Sequence, residues 1–357
     1  MRRVGYEGQA FLTKNGGTGK GAQLRTLLGP YLGKFTGFAS TDPNYGDVPL
    51  VQGGVAGYNL WQQISLPRLI HKHDIEVFLS PSNTAPLTLP KRVLLMLVLH
   101  DLITLKNYRR PTIRERSLDI YRRRLIPASV TRSEIVLTVS EYTRREILHA
   151  FPSAQVRVIP CTVQSSWFTS RPLDERKGHI LLVTSSAPHK NAHAALQAYA
   201  LYVQRTGNSA RRLRIVGLSS DAARFANVLC QAGLNRLVTF LPYLSDAALR
   251  NEYLDAGAMI FPSLDEGFGI PLLEAMATGT PVLTSRRASM PEVAADAARY
   301  FDPTDIDDMA TSLEAVLADS ELSKQMAARG RERAMYFHPE RVGKVVLELW
   351  KEFAGVV

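Results

Sequence analysis

Two carboxylates set around a glycine loop are the groups in this 357-residue chain with the clearest capacity for chemistry. Glu266 and Glu274 stand eight positions apart, with Gly267 and Gly269 between them. Carboxylates grip hydroxyl groups through charge-assisted hydrogen bonds, and glycines let backbone N–H groups approach a ligand closely. A helix N-terminus behind such a loop favours an anion. The combination suits an anionic ligand. Acidic residues near a helix start also serve simply to offset the helix dipole, so spacing alone leaves both readings open.

The elements around the loop give it a place. Ala258, Met259, Ile260 and Phe261 form an apolar run that reads as a buried strand, and Pro271 opens an apolar helix whose first turn should hold Glu274. The crevice then lies at the carboxyl edge of a parallel strand, where open α/β sheets bind ligands. Further apolar runs at residues 134–140, 156–160, 179–184, 213–217, 238–242 and 282–285 alternate with helical patterns. That alternation calls for α/β, doubly wound sheets, and the length calls for two domains. We expect them at residues 1–165 and 176–337, joined by a linker within 164–177.

Three further stretches carry candidate groups. The apolar run at residues 92–99 ends in His100 and Asp101, the pattern of a central strand delivering a polar pair to its carboxyl edge. Lys190 sits at a helix start, where the dipole disfavours a cation; it is either solvated or reaches an anion drawn to the same helix. Gly16, Gly17 and Thr18 belong to a glycine loop between strand and helix, which suits phosphate but reads equally as a flexible turn. Gly21 stands where a P-loop needs Ser or Thr. Asp305 and Asp307 precede an apolar helix and read as acidic capping rather than as a metal site.

Composition narrows the class. Apolar residues make up 45% and charged ones 21%, the balance of a soluble globular protein. No apolar run is long enough to span a bilayer, and the start lacks the apolar core of a secretory signal, so a cytoplasmic protein is expected. Cys161 and Cys230 fit no metal-ligand spacing and read as free thiols. The net charge of +10 is concentrated at residues 106–124, where Lys106, Arg109, Arg110, Arg114, Arg116, Arg122, Arg123 and Arg124 face only Glu115 and Asp119. Such a patch can seat a peripheral protein on an anionic membrane, or it is a solvated helical face. No nucleic-acid module is visible, and nucleic acid is not an expected partner.

The stretch at residues 261–283 resembles the signature of glycosyltransferase family 4, retaining enzymes of the GT-B fold. The likeness rests on Pro262-Ser263, the Glu266/Glu274 pair, Gly267-Phe268-Gly269-Ile270-Pro271, Glu274-Ala275-Met276-Ala277 with Gly279 and Pro281-Val282, and Met290-Pro291-Glu292-Val293. Val139-Ser140-Glu141-Tyr142-Thr143-Arg144-Arg145 also resembles the family. The resemblance implies two Rossmann-like domains facing across a cleft, with the helix at about residues 338–357 packing back on the first. It implies transfer of a sugar from a nucleoside diphosphate to a hydroxyl, with retained configuration, no metal and no cofactor beyond the donor. Glu266 would hold the donor sugar, Glu274 the ribose, and the amides of Gly267, Phe268, Gly269 and Ile270 the sugar and diphosphate. Lys190 and the loop of Gly16, Gly17 and Thr18 would meet the diphosphate, and His100 would stand near the reaction centre. His189 and Thr184 depart from the family pattern, which often has arginine at these places. The closest implied subgroup, mannosyl-type transferases of surface polysaccharide assembly, points to GDP-mannose over UDP-glucose, and to a glycan or lipid-linked oligosaccharide acceptor. A hydrolase or epimerase of the same fold, or a non-catalytic partner in a glycan assembly complex, are the alternatives.

Overall fold

The computed structural model describes residues 1–11, 19–40, 50–55, 57–106, 113–222, 225 and 233–356. Gly16, Gly17, Thr18, Arg109, Arg110 and Cys230 lie outside the described residues. The chain divides into two compact units, one of Met1–Thr162 with Pro339–Val357 and one of Val163–His338.

In the first unit, β1 (Val4–Glu7), β2 (Thr36–Ala39), β3 (Leu50–Gln52), β4 (Val77–Ser80), β5 (Leu94–Val98), β6 (Ile135–Thr138) and β7 (Val156–Val158) form one sheet. Its order is β3-β2-β1-β4-β5-β6-β7, and every pairing is parallel. Strands buried on both faces need apolar residues at every position, which is why these runs are nearly continuous rather than alternating. Val77 and Leu79 point into one core and Phe78 into the other; Met96 and Val98 oppose Leu95 and Leu97 in the same way.

The helix Pro339–Ala354 belongs to this unit although it ends the chain. Its apolar residues Val342, Val346, Leu349 and Trp350 are buried in the same core as helix Gly19–Leu28. Trp350 stacks edge-on to Phe35 at 4.8 Å, and its Nε1 donates to Leu27 O at 2.6 Å.

In the second unit, β8 (His179–Val183), β9 (Leu213–Val216), β10 (Val238–Leu241), β11 (Ala256–Phe261), β12 (Val282–Ser285) and β13 (Ala298–Phe301) form a parallel sheet in the order β10-β9-β8-β11-β12-β13. Both sheets reverse their strand order beside their first strand, between β1 and β4 and between β8 and β11. Crevices at such reversals, outside the carboxyl ends of the strands, are where α/β sheets take ligands.

Residues 164–177, expected as linker, are fastened to the second unit. Trp167 is buried against Tyr253, and the buried Arg176 guanidinium donates to Arg171 O, Ala256 O, Thr278 O and Thr280 Oγ1. Trp350→Ala should cost about 3–5 kcal/mol of stability, the loss expected for a fully buried aromatic. Equilibrium urea unfolding checks this, and a loss under 1 kcal/mol would mean that the terminal helix is not part of the first core.

Candidate functional site

Lys190 and Glu266 meet at the carboxyl ends of β8 and β11. Lys190 Nζ lies 2.6 Å from Glu266 Oε1, and both side chains are largely buried. The approach is built from the backbone. Asn191 takes a left-handed conformation at φ 56°, which asparagine tolerates better than most residues. Its Nδ2 donates to Pro303 O at 2.7 Å and Pro262 O at 3.3 Å. Leu264 N donates to His189 O at 2.7 Å. Residues on both sides of Lys190 are thus tied to the segment leading to Glu266.

The carboxylate of Glu266 is also fixed by a serine. Ser263 Oγ, buried, donates to the same Oε1 at 2.7 Å. Among the described residues, the hydrogen bonds to this carboxylate all fall on Oε1. Oε2 therefore keeps its acceptor capacity. Lys190 has three N–H donors and directs one to Glu266, which leaves two for an anion.

Ser289, fully buried, reaches Glu266 O at 2.9 Å and Phe268 O at 3.0 Å. In a trans peptide the carbonyl and the following N–H point in opposite directions. Carbonyls 266 and 268 turned toward Ser289 aim the N–H groups of Gly267 and Gly269 the other way. Gly269 closes the loop at φ 94°, a conformation that L side chains rarely adopt, and caps the helix Ile270–Ala277.

The start of that helix corrects one expectation. Because Gly269 ends the loop, Glu274 is the fifth residue of Ile270–Ala277 rather than part of its first turn. The dipole weakens beyond the first turn, so complementing it is not what Glu274 does there. Its partner is Tyr253, whose hydroxyl donates to Oε2 at 2.8 Å. Burial pushes the Glu274 carboxyl up to about 7, the Tyr253 hydrogen bond opposes the rise, and the charge of Asp246 adds to it.

His100 belongs to the first unit, just beyond β5. Its Nε2 lies 2.9 Å from Pro81 O, so the ring nitrogen that carries hydrogen there is Nε2. Its backbone N donates to Asn83 Oδ1 at 2.8 Å. The structure thus gathers Lys190, Glu266, Gly267, Phe268, Gly269, Ile270 and Glu274 on one sheet edge of the second unit. His100 stands on the corresponding edge of the first. Asp305 caps its helix by accepting from Asp307 N and Asp308 N, as the sequence suggests. Ser263, Ser289 and Tyr253 were not singled out by sequence reasoning; only the Pro262-Ser263 pair carried any signal.

A carboxyl held more protonated in the folded state than in the unfolded chain makes stability fall as pH rises between its two pKa values. For Glu274 the window runs from 4.5 to about 7. The melting temperature of the wild type should therefore decline across this window relative to Glu274→Gln and run parallel to it above about pH 8. A difference independent of pH would show that the Glu274 carboxyl titrates alike in the folded and unfolded chain.

Residues 34–167 match the family described as Glycosyltransferase Family 4, and residues 163–333 match Glycosyl transferases group 1. The chain is 28% identical over 248 residues to O-antigen chain mannosyltransferase B of Escherichia coli, covering 65% of this chain and 64% of the relative. It is 34% identical over 188 residues to O-antigen chain mannosyltransferase RfbU of Salmonella typhimurium, covering 52% of each. The matched region thus spans about half to two thirds of these relatives. Among solved structures, sucrose-phosphate synthase (tll1590) from Thermosynechococcus elongatus matches with a TM-score of 0.76 at 18% identity, over 100% of both chains. Anabaena HepE in complex with UDP and glucose matches with a TM-score of 0.79 at 15% identity, over 99% of this chain and 100% of that one. The two matched regions, which together run from residue 34 to residue 333, thus carry a Glycosyltransferase Family 4 and a Glycosyl transferases group 1 domain, and the chain has the GT-B fold.

Proposed function

We propose that this glycosyltransferase moves mannose from GDP-mannose to a hydroxyl of a glycan or lipid-linked oligosaccharide, with retained anomeric configuration. The observation that carries the reading is the Lys190–Glu266 contact at the strand-order reversal of the second sheet. A nucleotide sugar brings to one place a diphosphate and a set of hydroxyls, and this contact presents one group for each. The names of the O-antigen relatives support mannose as the sugar.

In the proposed reaction, the bond from the anomeric carbon to phosphate oxygen breaks while the bond to the acceptor oxygen forms on the same face. The acceptor's proton passes to the departing phosphate. Negative charge grows on that phosphate, and only groups that bind it more tightly than the ground state speed the step. Lys190 and the loop amides would do so, and no metal is required. Glu266 would orient the sugar through Oε2 by charge-assisted hydrogen bonds of about 1.5–3 kcal/mol each. Glu274 would hold the ribose and His100 would lie near the donor sugar and the reaction centre. Gly16, Gly17 and Thr18 would cover the diphosphate. A UDP-sugar is the second reading, since HepE, solved with UDP and glucose, shares the fold.

A peripheral seat on an anionic membrane belongs to the same proposal. On helix Ile113–Arg132, Arg116, Arg122 and Arg124 are exposed, as is Ile120. Lys106 and Arg123 are instead engaged within the unit, Lys106 with Glu146 and Tyr142 and Arg123 with Lys106 O. No helix among the described residues is long and apolar enough to cross a membrane.

Lys190→Ala and Glu266→Ala should each lower transfer from labelled GDP-mannose by about 100-fold or more while remaining folded by circular dichroism. Wild-type rates in both variants would overturn the site. GDP-mannose at a hundred times its Kd should stabilise the protein by about 2.7 kcal/mol, and stabilisation by UDP-sugars alone would overturn the donor. Activity should persist in EDTA.

A further inference from the structure

The first unit repeats the topology that positions Lys190 and Glu266, and at its own strand-order reversal stands a carboxylate that the proposed reaction does not use. Glu7 ends β1, next to β4, and is fully buried. Its Oε1 accepts from Tyr58 OH at 2.6 Å and from Ser82 Oγ at 2.9 Å, and its Oε2 from Gln62 Nε2 at 3.0 Å. Ser80 Oγ lies farther off, at 3.5 Å, and directs its proton to Thr84 O at 2.8 Å. Tyr58 and Gln62 come from one helical stretch whose middle, Trp61–Ser65, is a π-turn. Such turns recur at functional sites. His100 stands beside this cluster, since its Nε2 bonds to Pro81 O, one residue before Ser82.

The direction of these hydrogen bonds fixes what the cluster can bind. A hydroxyl has one proton and two lone pairs. Tyr58 and Ser82 both give their protons to Glu7, and both are only half-buried. Gln62 Nε2 takes one lone pair of Tyr58, at 2.9 Å. Toward solvent, the Ser82 oxygen therefore offers lone pairs alone, with a carboxylate behind it. Burial and the Glu7 charge hold the Tyr58 phenol well above its ordinary pKa, so it stays a donor to Glu7. A ligand hydroxyl can donate to such a surface, whereas a phosphate or carboxylate would face the acceptor oxygens of Ser82 and Glu7. Arg122, exposed and near enough to act on Tyr58, would favour an anion instead.

We propose that Ser82, oriented by Glu7, receives a hydroxyl of the acceptor, and that the end of the acceptor bound there is an uncharged sugar rather than a phosphorylated or acidic one. Ser82 touches the ligand; Glu7 is a positioning residue. The inference rests on the transfer reaction proposed above.

The test is saturation-transfer NMR on the full chain with an equimolar mixture of methyl α-mannopyranoside and mannose 6-phosphate, alongside titration of the same sample with GDP and UDP. The wild type should saturate the neutral glycoside at least fivefold more than the phosphate. Ser82→Ala should lose most of that signal. Glu7→Gln should narrow the preference, because an amide has one acceptor oxygen in place of two and a donor NH2, so Tyr58, Ser82 and Gln62 can no longer all donate to it. A purely structural role for Glu7 would lower the melting temperature without moving this ratio, and Ser82→Ala keeps the test decisive if Glu7→Gln does not fold. Equal or stronger saturation of the phosphate, an unchanged ratio in both variants, or no saturation of either sugar by a sample that binds nucleotide would each overturn the inference alone. Failure to bind any nucleotide would instead overturn the transfer reading.

Discussion

An ammonium group held 2.6 Å from a carboxylate, both largely out of water, is the contact on which the second unit's site depends. Removing either partner would leave a poorly solvated charge, which is far more costly than the pair is stabilising. The surrounding structure meets that demand with neutral donors and backbone. Ser263 shares the carboxylate oxygen, Asn191 adopts a left-handed turn to bring Lys190 round, and Ser289 turns two loop carbonyls inward. The groups of the candidate site are therefore held in place by hydrogen bonds within the chain. Preorganised dipoles and charges need no rearrangement when phosphate charge develops, and that is where enzymes gain most.

Topology explains why these residues meet. Lys190 and Glu266 are separated by 76 positions, yet each follows one of the two strands at which the second sheet reverses order. The first sheet makes the same reversal with different chemistry at its edge. There the strand ends carry Glu7, Ser82 and, one strand further, His100, a set of neutral hydroxyls and an imidazole around a buried carboxylate. One edge presents an ammonium paired with a carboxylate, and the other presents hydroxyl oxygens backed by a carboxylate.

Much of the second unit was legible in the sequence because its signals are local. The run into β11, the two glycines and Pro271 specify strand, loop and helix within a few residues of each other, and β8, β9, β10 and β12 are short apolar runs. β2, β3 and β13 carried weaker signals: Gly37 interrupts one, three residues make up another, and Arg299 breaks the last. Glu274 falls one residue deeper in its helix than expected, past the first turn, because loop length before a helix depends on the conformation of Gly269. The partners of the site were not legible at all. Tyr253 lies 21 positions from Glu274, Ser289 lies 23 from Glu266, and Ser82 lies 75 from Glu7, so no spacing rule joins them. The roles of individual residues came from family resemblance rather than from residue chemistry, since a lysine at a helix start reads equally as solvated.

The central claim is that Lys190 and Glu266 act on one donor molecule as a coupled pair. A double-mutant cycle with Lys190→Met and Glu266→Gln, read by calorimetric titration with GDP-mannose, tests it most directly. The account predicts strong non-additivity, with a coupling energy of about 1 kcal/mol or more between the two substitutions. Effects that add within about 0.3–0.5 kcal/mol, the behaviour of independent sites, would contradict it.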